Sequence, residues 1–335
     1  MNKTILITGG AGYVGSHVAY LLTQLGYKVV IIDKLLHGQV WEHSWAELYI
    51  ADFSDKPVLM SLFKKYSFIA IMHFAALIEI GESVKHPAKF YYNNVVKSLV
   101  LLDCMKEFNI NNIIFSSSCA VYGIPKSIPI TETHSKNPIS PYGKNKLAIE
   151  FALEDYANAY GLKFVSLRYF NAAGALAEAG LGEQHYPETH LIPLLLRAIQ
   201  NEKFFSIFGQ HYKTPDGTCI RDYIHVLDIA KAHILALAYL QRGGLPDFFN
   251  LGSGRGFSVR QVIQKAEELY KKSTLIKQCS ERGGDVDVLL ADSSKAQAIL
   301  GWEPKHSDLT TILTSALAWE KFKKIPVNKT KKQCL

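Results

Sequence analysis

Near its N-terminus the chain reads Thr4-Ile5-Leu6-Ile7-Thr8-Gly9-Gly10-Ala11-Gly12-Tyr13-Val14-Gly15-Ser16. A short β-branched run leads into glycines at 9, 12 and 15, and a helical pattern follows. Strand, glycine turn and helix in that order form a phosphate cradle. Gly9 permits a tight turn, Gly12 lets backbone approach a pyrophosphate, and Gly15 lets helix and strand pack closely. The helix N-terminus then offers unpaired N–H groups and a positive dipole end to the phosphates. The next apolar run ends at Asp33, 18 residues past Gly15. An acid at that place bonds a ribose 2′-hydroxyl. Its charge repels a 2′-phosphate, so the loop predicts NAD rather than NADP. Lys34 beside it weakens that preference slightly.

Outward from this loop, apolar runs at 4–8, 28–33, 48–51, 69–74, 112–118 and 163–169 alternate with helical patterns at 13–25, 56–65, 88–108 and 142–160. Such alternation predicts parallel βαβ units with right-handed crossovers. The fold class expected is α/β: a doubly wound parallel Rossmann sheet with a smaller, discontinuous C-terminal domain. Residues 1–170 plus 221–256 are assigned to the NAD-binding domain, with 222–240 and 248–252 as the chain's return to the sheet. Residues 171–220 plus 257–320 are assigned to the second domain, closing over the crevice beyond the C-terminal strand ends.

Composition narrows the partners. No apolar run reaches the roughly 18 residues of a membrane helix. The opening run leads into glycines rather than a cleavage site, so a signal peptide is not expected. Cys104, Cys119, Cys219, Cys279 and Cys334 are scattered and never spaced C-x-x-C. That argues against a disulfide framework or zinc site and for a cytoplasmic location. The net charge of +7 is concentrated at the end, in Lys321, Lys323, Lys324, Lys329, Lys331 and Lys332. Residues 321–335 therefore read as a basic tail, and the remainder offers no basic excess for nucleic acid or a membrane. The histidines show no metal-ligand spacing, and no metal is expected.

Tyr142-Gly143-Lys144-Asn145-Lys146 follows Pro141 at a helix start, and its four-residue spacing puts Tyr142 and Lys146 on one face. The run 112–118 ends in Ser116-Ser117-Ser118. Alternation puts Ser116 and Ser118 on one side and Ser117 on the other. Ser118, at the C-terminal end, faces the cofactor crevice. A tyrosine with its ordinary pKa of about 10 is a poor base at neutral pH. A nearby lysine ammonium and a positive nicotinamide ring favour its phenolate. The serine hydroxyl can then orient a substrate oxygen or relay its proton.

With these residues in place, the chain resembles the extended short-chain dehydrogenase/reductases, and within them the UDP-glucose 4-epimerase family. The resemblance spans roughly 3–320 and rests on His73-Phe74-Ala75-Ala76, Gly81-Glu82-Ser83, Tyr92-Asn93-Asn94-Val95, Ser140–Lys146, Arg168-Tyr169-Phe170-Asn171, Asp216-Gly217-Thr218, Arg221-Asp222-Tyr223-Ile224-His225-Val226, Asn250-Leu251-Gly252 and Arg282-Gly283-Gly284-Asp285. It implies that Tyr142 takes the sugar 4-hydroxyl proton, that Lys146 bonds the nicotinamide ribose, and that Ser118 bonds the sugar. It implies an NAD site lined by Gly9, Gly12, Tyr13, Val14, Gly15, Asp33, Asp52, Phe53, Phe74, Ala75, Asn93, Lys146 and Phe170. It implies a UDP-sugar held by Ser118, Asn171, His190, Arg221, Arg282, Asp285 and Leu289 in the second domain. Guanidinium forks suit the phosphate oxygens. The implied reaction interconverts UDP-glucose and UDP-galactose through a 4-keto sugar that turns over before the hydride returns. It also implies a homodimer built on the helices near 88–108 and 142–160.

Two positions, Ile78 and Leu289, and the pair Thr189-His190 depart from the family pattern. Ile78 stands where well-studied members carry lysine. Leu289, intermediate in bulk, stands at the gate of the sugar pocket, which keeps N-acetylated UDP-sugars open as substrates. Thr189-His190 stands where the family often has two asparagines. A 4,6-dehydratase needs an acid pair after the serine, and Cys119-Ala120 supplies none. A non-enzymatic NAD-binding protein has no need of both Tyr142 and Lys146. A UDP-pentose or uronate epimerase stays open.

Overall fold

The computed structural model describes residues 3–36, 44–281 and 285–323. Its strands are β1 (Thr4–Thr8), β2 (Lys28–Asp33), β3 (Glu47–Ile50), β4 (Phe68–His73), β5 (Asn112–Ser118), β6 (Lys163–Tyr169), β7 (Asn171–Ala173), β8 (Phe204–Phe208), β9 (Ile220–His225), β10 (Asp247–Leu251), β11 (Gly256–Ser258), β12 (Leu275–Cys279) and β13 (Val288–Leu289). The helices are α1 (Tyr13–Gln24), α2 (Lys56–Lys65), α3 (Ile80–Lys85), α4 (Pro87–Phe90), α5 (Lys97–Glu107), α6 (Pro141–Tyr160), α7 (Leu191–Gln200), α8 (Val226–Gln241), α9 (Val259–Tyr270), α10 (Ser294–Leu300) and α11 (Leu309–Phe322).

Seven strands form one parallel sheet in the order β10-β6-β5-β4-β1-β2-β3. The order reverses between β1 and β4, and that switch point opens the crevice where ligands bind in doubly wound sheets. Alternation along each strand feeds two apolar layers. Ile5, Ile7, Val29 and Ile31 pack with Val18 and Leu22 of α1 and with Ile229 and Leu237 of α8. Leu6, Val30 and Ile32 pack on the opposite side with Leu62 of α2, Leu101 of α5 and Ile149 of α6. Strands buried on both faces must be apolar throughout, which is why the first strands read as continuous runs.

The return to the sheet is split. β10 joins it beside β6, as the sequence suggests. β9 does not: it pairs with β7, β11 and β13 in a separate four-stranded sheet. Apolar alternation reveals a strand but not its partner. β8 and β12 form a two-stranded pair, and α7, α9 and α11 share a third apolar cluster with β8. α10 and Trp302 pack instead into the layer formed by α1 and α8.

The helical pattern at 88–108 is one helical path whose middle turn, Tyr91–Val96, is wound as π-helix between α4 and α5. Such bulges recur at functional sites, and this one carries Asn93. α6 starts with Ser140 Oγ accepting from Gly143 N at 3.1 Å, has Pro141 at its first position, and stops at Gly161 with φ of 71°. Both ends follow rules local to the sequence.

Candidate active site

Two glycines of the loop, Gly9 and Gly15, leave no space for a side chain. Gly9 has φ of 71°, and a Cβ there would lie 2.5 Å from Ala75 N. A Cβ on Gly15 would lie 2.4 Å from Gly9 O. Both obstacles are backbone, so the loop would have to move. Gly12 precedes the first turn of α1 and provides no capping side chain, leaving that turn's donors to a phosphate. Asp33 shapes the adjoining corner, its carboxylate accepting from Ala11 N at 3.0 Å and Leu35 N at 2.8 Å. Lys34, beside it in sequence, is taken up by Asp52 at 2.5 Å, and Lys97 reaches the same oxygen at 2.5 Å. Burial works against the Asp52 charge, but the two lysines outweigh it and hold the carboxyl well below its usual range. Lys97 also donates to Asn93 Oδ1 at 3.4 Å. A glycine cradle, a donor-rich helix start and carboxylates at the ends of β2 and β3 fit a dinucleotide.

The crevice floor is a hydrogen-bonded chain between β1 and the helix at 91–107. Ser98 donates to Asn94 O at 2.5 Å, so His73 must donate from Nε2 to Ser98 Oγ at 2.8 Å. Its Nδ1 then accepts from Thr8 Oγ1 at 2.6 Å. Burial, with the Lys146 charge beside it, pulls His73 down to about 3, consistent with this neutral tautomer. Phe74 N and Ala75 N both donate to Thr8 O, at 2.9 and 3.0 Å. The Phe53 ring lies 5.0 Å from the His73 ring. Tyr13 is buried and donates to Gly174 O at 2.6 Å, while Val14 packs against the α1 layer.

Tyr142 and Lys146 do share a face of α6. Lys146 is 2% exposed, with Nζ donating to Ser116 O at 2.6 Å and lying 5.8 Å from the Tyr142 ring centre. Burial pulls Lys146 down to about 7 against the opposing charge of Glu150. Burial also pushes the Tyr142 phenol well above its usual value; Tyr169 adds to this and a hydrogen bond from Ser118 works the other way. Within the chain itself, burial thus opposes the Tyr142 phenolate that the expected role of Lys146 is to favour. The serines divide as alternation requires. Ser117 donates to Glu150 Oε1 at 2.7 Å, Ser116 shares a hydrogen bond with Tyr169 OH, and Ser118 sits beside Tyr142 with Oγ accepting from Ala120 N at 3.2 Å.

The expected substrate residues gather around β9 and β13. Asn171 donates to Asp222 O at 2.9 Å. Arg221 donates to Val286 O at 2.7 Å and lies 3.4 Å from Asp285. Leu289 stands opposite Arg221 and packs with Tyr122, Ile130, Phe170 and Ala291. Arg282 lies outside the described residues. His190 binds through Nδ1 to the Glu183 carboxylate, an engagement the resemblance did not anticipate.

Two groups escaped the sequence reading. Glu150 is wholly buried and receives Ser117, Ser166 at 2.9 Å, and both arms of Arg168 at 2.8 and 2.7 Å. Arg168 continues to Tyr122 OH at 2.9 Å, and Tyr122 donates to Asn250 at 2.6 Å. This network clamps α6 to β5 and β6 directly behind Lys146. A charged residue on the apolar face of α6 was its signal. The second group is Glu183, His185, Glu188 and His190, whose ligand atoms all lie within 4.8 Å of one another. Sequence spacing gave no sign that these two histidines and two glutamates come together. Burial works against charge on His185, but Glu183 and Glu188 raise it to about 9.

The sheet order, the glycine cradle and the Tyr142–Lys146 pair define a dinucleotide-binding enzyme of the tyrosine–lysine class. The chain belongs to the NAD dependent epimerase/dehydratase family, whose model matches residues 5–252. It is 46% identical over 319 residues to the UDP-glucose 4-epimerase of Rhizobium meliloti, covering 95% of this chain and 97% of that one. The crystal structure of UDP-glucose 4-epimerase from Brucella ovis in complex with NAD superposes with a TM-score of 0.91 at 45% identity, covering 94% and 97% of the two chains. A UDP-Glc/GlcNAc 4-epimerase from Campylobacter jejuni matches with a TM-score of 0.82 at 38% identity, over 95% and 99%.

Proposed function

We propose that this protein interconverts UDP-glucose and UDP-galactose by inverting C4 of the sugar through a 4-keto intermediate. The observation that carries the reading is the convergence of Ser118, Tyr142 and buried Lys146 at the C-terminal end of β5, in a member of a family of NAD-dependent epimerases. NAD, when bound, supplies a hydride acceptor and donor, and its positive ring favours the phenolate. Tyr142 takes the proton of the sugar 4-hydroxyl and later returns it, while Ser118 orients that hydroxyl. Lys146, held by Ser116 O, bonds the nicotinamide ribose and steadies the Tyr142 charge. Gly9, Gly12, Tyr13, Val14 and Gly15 cradle the cofactor, with Asp33, Asp52, Phe53, Phe74, Ala75, Asn93 and Phe170 around it. Asn171, Arg221, Arg282 and Asp285 grip the UDP moiety, leaving the sugar free to turn. His190, also expected beside the UDP moiety, engages Glu183 through Nδ1, so Nε2 is the atom it would offer the substrate.

The test is incubation of purified protein with UDP-galactose and no added NAD. Formation of UDP-glucose is the expected result, and its absence overturns the reading. A second substrate, UDP-N-acetylglucosamine turned over more slowly, is suggested by the intermediate bulk of Leu289 at the expected gate of the sugar pocket. No detectable turnover of it, alongside good UDP-glucose turnover, removes that addition.

The reading extends to a cytoplasmic homodimer. The scattered cysteines support the location. Exposed Tyr92, Val96 and Leu99 near α5, with Phe151 on α6, support a dimer face on these helices. A monomeric mass by light scattering at micromolar concentration would exclude the dimer. Among the described residues no helix is long and apolar enough to cross a membrane.

A further inference from the structure

The loop between β7 and α7 carries four potential metal ligands within eight residues, in the pattern Glu183-x-His185-x-x-Glu188-x-His190. The hydride and proton transfers described above use none of them. Both carboxylates are nearly buried, with side chains 6% and 3% exposed. His185 Nδ1 lies 3.2 Å from Glu183 Oε1 and 3.8 Å from Glu188 Oε1. His190 Nδ1 contacts Glu183 Oε1 and lies 4.0 Å from Glu188 Oε1.

We propose that Glu183, His185, Glu188 and His190 bind one zinc ion in a closed, structural four-ligand site. Zinc takes imidazole nitrogen and carboxylate oxygen at about 2.0–2.2 Å in tetrahedral geometry, which places ligand atoms roughly 3.4 Å apart. The distances here bracket that value, and only the His190–Glu183 contact has to open. Two imidazoles with two carboxylates favour zinc over magnesium or calcium, which prefer oxygen alone. The dication neutralises both carboxylates with the imidazoles neutral, so four polar groups are satisfied at one point.

The ligands are held from behind. Glu188 Oε1 accepts from Thr189 N at 2.9 Å and His190 N at 3.1 Å, while Arg197 approaches its other oxygen at 3.5 Å. The Glu183 carbonyl accepts from Trp319 Nε1 of α11 at 2.7 Å. Such outer contacts orient metal ligands. The ion pins this loop to the start of α7 and, through Trp319, to α11. The Glu183 and Glu188 charges also reach Tyr13 at the start of the phosphate-binding helix.

The test uses the full chain, stripped with a chelator and dialysed. Titration with Co²⁺ alone is expected to give the visible absorption of a tetrahedral site, saturating at one ion per chain and abolished by one equivalent of Zn²⁺. His185→Ala and Glu188→Gln, checked for folding by circular dichroism, are expected to weaken zinc binding by more than the roughly 10–100-fold that losing outer-shell support causes. Should either variant fail to fold, anomalous scattering at the zinc edge from wild-type crystals grown with Zn²⁺ locates the ion. No saturable metal uptake, uptake unchanged in folded variants, or an ion located elsewhere overturns the proposal and leaves an ion-paired histidine–glutamate cluster.

Discussion

Tyr142 and Lys146 are four residues apart on α6, and that spacing alone puts them on one face. Their surroundings decide what they do there. Burial pushes the tyrosine up and the lysine down to about 7, so each resists the charge its role requires. The positive nicotinamide ring of bound NAD would favour the Tyr142 phenolate, which ties proton abstraction to cofactor occupancy. Tyr142→Phe is expected to retain NAD, measured on nucleotide released by denaturation, while kcat falls by about 10²–10⁴-fold. Activity near wild type would refute the role given to Tyr142. Gly15→Ala tests the cradle. Its new Cβ would stand 2.4 Å from Gly9 O and 3.0 Å from Gly10 Cα. The backbone must shift, so the variant is expected to purify without NAD and to lose about 1–3 kcal/mol of stability in urea. Unchanged NAD content would show that the loop tolerates the displacement. The glycines and the tyrosine–lysine spacing are readable from sequence because each acts through its nearest backbone. Glu183 and His190 were not, because their pairing depends on how one loop folds back on itself.

α6 is held by more than its cap. Glu150, two turns past Tyr142 and facing inward, is paired with Arg168 of β6 and receives Ser117 of β5. This buried pair sets the depth at which α6 sits on the sheet, and with it the position of Lys146 against Ser116 O. Arg168→Met removes the cation while leaving Glu150 buried. It is expected to cost about 3–5 kcal/mol in denaturant unfolding, since an unpaired buried charge is left behind. The double variant Arg168→Met with Glu150→Leu should recover much of that loss, because an apolar pair replaces the ionic one. Failure of the double variant to recover would place the energy in Tyr122 and Asn250 instead. The helix itself was legible at 142–160, entered from Pro141. Its clamp was not, since Glu150 and Arg168 are 18 residues apart on different elements.

Across the molecule, several histidines are buried in neutral form. Burial lowers His17 and His233 to about 4 and His73 and His225 to about 3. Above the unfolded value of about 6.5 both states leave them neutral, and they contribute no pH dependence. As pH falls from 6.5 toward 4, the unfolded chain takes up protons that the folded chain refuses, so stability falls. The urea midpoint is expected to drop steadily over that range, and a flat profile from pH 6.5 to 4.5 would contradict the burial of these rings. Replacing His233 alone by Gln should lessen the slope. For the chain as a whole, the parallel βαβ half, the glycine cradle and the tyrosine–lysine pair follow from the order of residues. Each of these is encoded by neighbours along the chain, through strand and helix periods, caps and turn glycines. That β9 leaves the main sheet, that Glu150 meets Arg168, and that two glutamates and two histidines converge emerge with the three-dimensional packing. Apolar alternation and isolated polar residues say that a surface is buried or a charge is paired. They do not name the partner, which is chosen by packing between segments far apart in the chain.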